Sequence, residues 1–229
     1  FDNDDFDTDD DKDGQIMDYG QICFSAETPL SSFKQMKWNM GATAEVEFFP
    51  ETFSKVYLLD AVEDFEKFIP QITKDEVIFV DFEYVPLTIK EAAPICMFQF
   101  CCSSGAFLFR QRTTEKNEVL KNFMSVKNGL KFVAKGIPGD MIRLKLFFGD
   151  DFKMNIEDVE VTRLMPYNEP LNFERMVNKF ACQPTAEFKD KRISCSNWNA
   201  KNLSKIQVFY SAFDVVALYR CYPNYKPSK

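Results

Sequence analysis

The 229-residue chain contains no histidine. That absence excludes histidine-based catalysis and histidine-ligated zinc, and any general base must be another residue type. No apolar run approaches the roughly 20 residues of a membrane-spanning helix. No secretory signal is visible at the N-terminus, so no membrane partner is expected. The chain opens on Phe1 instead of an initiator Met, as an excerpt from a longer protein would. A CxxC pair is also missing. The seven cysteines (Cys23, Cys96, Cys101, Cys102, Cys182, Cys195 and Cys221) are odd in number and widely spaced. They read as small core residues in a reducing compartment, which places the protein inside the cell, in nucleus or cytoplasm.

Basic charge is in short supply. Lys and Arg number 28 against 35 Asp and Glu, for a net charge of −7. A nucleic-acid binder is usually basic over its binding face, so the balance argues against a strong stand-alone clamp. Much of the acid lies in one place, however: seven Asp fall within residues 2–11, and Asp13 follows. Setting that segment aside brings the remainder close to neutral.

What is present is a core. The hydrophobic share is 45% and there are 25 Phe, enough for one sizeable domain. Residues 1–40 read as an acidic, flexible segment, 41–222 as the folded domain and 223–229 as a tail. Within the first segment Asp9, Asp11, Asp13, Gly14 and Ile16 match the opening of a calcium-binding loop, but the closing Glu is replaced by Gly20. Calcium binding is therefore not expected there.

Short strands are predicted at 55–59, 76–82, 95–102, 105–110, 130–134 and 156–162. A tight hairpin is expected at Ser103, Ser104 and Gly105. Helices are predicted at 61–70 (stopped near Pro70), 114–126, from Pro138 to Gly149, 171–181 and 204–221, with Ser204 and Gln207 as a capping box. Sequential strands followed by alternating helix and strand predict a mixed α/β sheet.

Asp81 and Glu83 close the buried strand. Side chains alternate along a strand, so both face one way and Phe82 the other. Two carboxylates there are expensive unless a cation joins them, and Mg²⁺ or Mn²⁺ is the natural partner for oxygen ligands. Taken alone, the pair also fits the polar end of an ordinary strand. Asp140 lies in the first turn of the helix after Pro138, where any acid is favoured by the helix dipole. Tyr210 and Asp214 stand four apart on the last helix and share a face.

Together these positions are more specific than any one of them. Asp-x-Glu on a buried strand, Asp opening a later helix and Tyr-x-x-x-Asp on a final helix resemble the DEDD 3′–5′ exonuclease superfamily. The tyrosine places the chain in its tyrosine branch. Ala-Pro-Ile-Cys-Met-Phe-Gln-Phe at 93–100 and Gly-Ala-Phe-Leu-Phe-Arg at 105–110 look like the family's second and third strands. Lys-Phe-Val-Ala-Lys-Gly-Ile-Pro-Gly-Asp at 131–140 looks like its second motif. Cys-Ser-Asn-Trp at 195–198, running into the last helix, is similar to Werner-type, Nibbler-type and RNase D-like members. The chain departs from the family at Tyr84, where Trp is common, and at Lys135, where His or Asn is common.

The resemblance implies an RNase H-like mixed sheet of five or six strands flanked by helices. It implies two divalent cations, Mg²⁺ or Mn²⁺, held by Asp81, Glu83, Asp140 and Asp214. Asp81 would bridge both ions, Glu83 and Asp214 would hold the one carrying the attacking water, and Asp140 would support the second. Tyr210 would orient or deprotonate that water. The substrate would be nucleic acid with a free 3′ end, RNA ahead of DNA, contacted by Tyr84, Lys135 and Arg143. Trp198 would pack against the final helix. Flanking domains or a protein partner would supply further affinity. The rival expectation is a weak or inactive domain of the same fold that binds RNA or protein.

Overall fold

The computed structural model describes residues 43–49, 52–84, 94–113, 115, 117–164, 173–180, 191–224 and 226–227. The acidic segment and its calcium-loop motif lie outside the described residues. The main sheet is mixed. It contains β1 (Thr43–Phe49), β2 (Thr52–Leu59), β3 (Val77–Tyr84), β4 (Ile95–Cys102), β5 (Gly105–Arg110), β6 (Lys131–Ala134) and β7 (Ile156–Asp158), in the order β1-β2-β5-β4-β3-β6-β7. The mixed α/β sheet is as expected, with β1 added at one edge to give seven strands. Its antiparallel pairing with β2 includes a bulge between Glu47 and Phe49.

β3 sits inside this order, antiparallel to β4 and parallel to β6. Its run Val-Ile-Phe-Val is β-branched and aromatic, the composition that suits a pleat covered on both faces. The β4–β5 hairpin turns through Ser103 and Ser104, as predicted. Asp75 ties the turn down by accepting the Ser103 N–H and hydroxyl, each at 2.6 Å. Gly105 is required there. Its φ is +135°, and a Cβ would lie 2.4 Å from the Lys55 carbonyl oxygen on the neighbouring strand.

One face of the sheet packs against α7 (Lys205–Cys221) and α5 (Phe173–Phe180), with α6 (Lys191–Ser194) beside α7. The other packs against α1 (Val62–Ile72), α2 (Glu118–Met124) and α3 (Pro138–Phe148). This second core is rich in phenylalanine: Phe65, Phe98, Phe100, Phe107, Phe109 and Phe132 are all buried. Phe65, Phe100 and Phe123 meet edge-on or tilted, with centroids 5.2–5.6 Å apart, the arrangement aromatic quadrupoles favour. α7 is buried on nearly every side, not along one stripe. It starts at the predicted capping box, in which Ser204 Oγ accepts the Gln207 N–H and Gln207 Oε1 accepts the Ser204 N–H.

Several predicted bounds shift. α1 passes through Pro70 to Ile72. Proline in the last turn forfeits a single intrahelical bond, the one to exposed Glu66, so the helix continues. The 114–126 helix shortens to α2, because Asn117 caps it by accepting the Leu120 N–H. The 156–162 strand ends at Asp158. There the Asp158 carboxylate accepts the Glu160 N–H and starts α4 (Val159–Thr162). The terminal stretch is not wholly a tail: β9 (Lys226–Pro227) pairs with β8 (Arg163–Leu164).

Candidate active site

β3 places Asp81 and Glu83 on the α7 side and turns Phe82 into the opposite core. There Phe82 meets Phe98 edge-on at 5.6 Å. Asp81 is half-buried, and its Oδ1 accepts the Phe82 N–H at 2.9 Å. Glu83 is 7% exposed. Gln99 of β4 donates from Nε2 to Glu83 Oε1 at 3.2 Å, and the Cys96 thiol donates to the Glu83 carbonyl at 3.4 Å. Desolvation pushes that thiol up to about 12, with the Glu83 charge adding to the effect.

From α7, Asp214 (5% exposed) reaches the same region, and Tyr210 packs with its ring centroid 6.0 Å from that of Trp198. Trp198 is buried, and its indole N–H donates to the Ser194 carbonyl at 3.0 Å. Asp81, Asp214 and Lys135 line one cavity of about 170 Å³, closed by Val80, Phe173 and Leu218. Lys135 also pairs with Glu160 at 3.3 Å.

Asp140 sits in the first turn of α3. Burial pushes its carboxyl up to about 7, opposed by the Arg143 charge and reinforced by that of Asp158. Asp158 builds the approach to this helix. Its two oxygens accept the N–H groups of Gly136 at 2.9 Å and Ile137 at 3.1 Å. Tyr84 and Arg143, both named as substrate contacts, engage each other: the guanidinium lies 4.2 Å above the ring centroid. Arg143 Nη1 also donates to the Gly139 carbonyl at 3.1 Å.

Among the described residues, no three acidic, histidine or cysteine side chains are gathered at metal-binding distance. The donor chemistry nevertheless fits a hard divalent cation. The acids supply oxygen ligands only, two of them share a cavity, and beside them Gln99 Oε1 is buried with no hydrogen-bond partner. Two neighbouring residues were missed in the sequence. Gln99 left a signal, as a lone amide in the apolar run Ile-Cys-Met-Phe-Gln-Phe-Cys-Cys. Asp158 left none, because its partners are brought to it by the fold.

The mixed sheet presents acids from one of its inner strands and from two helices. The 3′–5′ exonuclease family model matches residues 57–227, and the chain belongs to that family of enzymes. Solved structures agree on the fold. The Nibbler EXO domain of Aedes aegypti is 16% identical with a TM-score of 0.57, covering 71% of this chain and 83% of that one. The RRP6 catalytic core of Trypanosoma brucei is 20% identical with a TM-score of 0.61, covering 72% and 44%. Trypanosoma brucei RNase D in complex with RNA U12 is 16% identical with a TM-score of 0.58, covering 74% and 61%. The chain thus spans less than two thirds of the latter two proteins. No curated protein sequence matches it.

Proposed function

We propose that this domain is a metal-dependent exonuclease that removes nucleotides from the 3′ end of RNA. The observation that carries the reading is the cavity shared by Asp81 and Asp214, on a chain of the 3′–5′ exonuclease family. A similar fold in an RNase D complex with RNA supports RNA over DNA. Asp81, Glu83, Asp140 and Asp214 would hold two Mg²⁺ or Mn²⁺ ions. Bound there, the ions would stabilise charge on the attacking and leaving oxygens and lower the pKa of the attacking water.

The protein's own groups have distinct tasks in this reading. Tyr210 orients the attacking water or takes its proton, the task no histidine is present to perform. Lys135, at the cavity wall, meets a backbone phosphate. Arg143 does the same from α3, with Tyr84 holding its guanidinium plane. Flanking domains or a partner add the affinity that a net charge of −7 does not provide. The free thiols Cys96, Cys101, Cys102, Cys195 and Cys221 support a reducing compartment, in nucleus or cytoplasm.

A weak or inactive RNA- or protein-binding domain is the second reading. It is favoured by the acids not being gathered at metal-binding distance among the described residues. Incubation of 3′-labelled and 5′-labelled single-stranded RNA and DNA with Mn²⁺ or Mg²⁺, beside Asp81→Ala, separates the two. Release of mononucleotides from the 3′ end by the wild type alone is expected. No release with either ion overturns the enzyme reading.

A further inference from the structure

Gln99 is fully buried in β4, and the register sets it directly across from Asp81. Only half of its amide is used. Nε2 donates to Glu83 Oε1 at 3.2 Å, while Oε1 is buried with no hydrogen-bond partner. Interiors seldom keep such an atom, because its desolvation is uncompensated. A purely structural amide would use both ends, and an apolar side chain of similar size would fill the space without that penalty.

We propose that Gln99 is a positioning residue for the acidic pair. Its N–H holds the Glu83 carboxylate in one orientation, since a carboxylate with one oxygen tied to a donor presents the other in a fixed direction. Its unpaired oxygen accepts a hydrogen bond from a water that arrives with the divalent ion, because Mg²⁺ and Mn²⁺ retain part of their hydration shell. Partners that orient ligands in this way typically change metal affinity about 10- to 100-fold when removed. The inference rests on the reading of Asp81 and Glu83 as metal ligands.

The test combines three measurements on wild type, Gln99→Met and Gln99→Asn. These are direct Mn²⁺ binding by electron paramagnetic resonance, thermal unfolding in EDTA, and steady-state cleavage of a 3′-labelled RNA. Met keeps the volume and removes the amide, and Asn keeps the amide but falls short of Glu83. Both variants are expected to bind Mn²⁺ about 10-fold more weakly or worse, with kcat lowered and KM for RNA unchanged. Gln99→Met is also expected to melt close to the wild-type midpoint, because the unpaired buried oxygen it removes offsets the donor that Glu83 loses.

Equal Mn²⁺ affinity in wild type and a folded variant overturns the positioning role while leaving the exonuclease reading intact. A midpoint that falls in step with affinity in both variants marks a packing role and also overturns it. A wild type that binds no Mn²⁺ overturns the metal reading and this inference together.

Discussion

The Arg143 guanidinium stacks 4.2 Å above the Tyr84 ring while the Tyr84 hydroxyl is buried without a hydrogen-bond partner. The ring therefore carries the interaction and the hydroxyl carries a cost. Tyr84→Phe is expected to leave stability unchanged or raise it by up to about 1 kcal/mol. Tyr84→Ala removes the half-buried ring as well and should cost about 2 kcal/mol. Urea unfolding of the two variants checks the order. A Phe variant less stable than wild type would show that the hydroxyl has a partner of its own.

Asp158 serves two elements with one carboxylate. It accepts N–H groups from Gly136, Ile137 and Glu160, which sets the approach to the helix carrying Asp140 and starts α4. Asp158→Ala strands three backbone donors and is expected to cost about 2 kcal/mol, with Asp158→Asn losing less. If Asp140 takes part in cleavage, the Ala variant should also lose kcat at temperatures well below its melting midpoint. Thermal unfolding and single-turnover cleavage measured side by side separate the two effects.

The buried thiols set a limit at alkaline pH. Burial raises Cys96 and Cys221 from an ordinary 9.0 to about 12 and pushes Cys101 well up. Below pH 9 both folded and unfolded chains keep these protons, and the thiols add no pH dependence to stability. Between pH 9 and 12 the unfolded chain sheds them first, so stability falls as pH rises, by about 1.4 kcal/mol per pH unit for each thiol. Replacing Cys96 and Cys221 by Ala should remove those two shares of the slope, measured as urea-unfolding free energies from pH 9 to 11. An unchanged slope would mean that these thiols ionise as readily in the folded state.

The parts of this architecture that were legible in the chain are those set by local pattern. The continuous apolar run into Asp81 has the pattern of a strand covered on both faces, and the period of two sets Phe82 opposite the acids. Ser204 and Gln207 announced the start of α7 because a capping box is a local device. What escaped was set by distant residues. Asp158 falls inside a predicted strand because the N–H groups it accepts come from Gly136 and Ile137, more than twenty residues earlier. Tyr84 and Arg143 are each predicted as substrate contacts, and only the fold, which brings β3 and α3 together, shows that they also touch each other. Pro70 predicts a stop two residues early, because near a helix end its missing bond costs too little to end the helix.

Tyr210 offers the sharpest separation of chemistry from packing. Its ring is buried and stands 6.0 Å from Trp198, on the helix that also carries Asp214. Tyr210→Phe keeps that ring and deletes the hydroxyl. If the hydroxyl orients or deprotonates water, kcat should fall about 100-fold, with the melting midpoint and RNA affinity close to wild type. Trp198→Ala does the reverse: it opens a cavity beside the same ring, and a loss of about 3–5 kcal/mol in stability is expected. Its activity loss should then follow the unfolded fraction. A Phe variant with wild-type kcat would remove Tyr210 from the chemistry and leave it as part of the wall against which α7 is held.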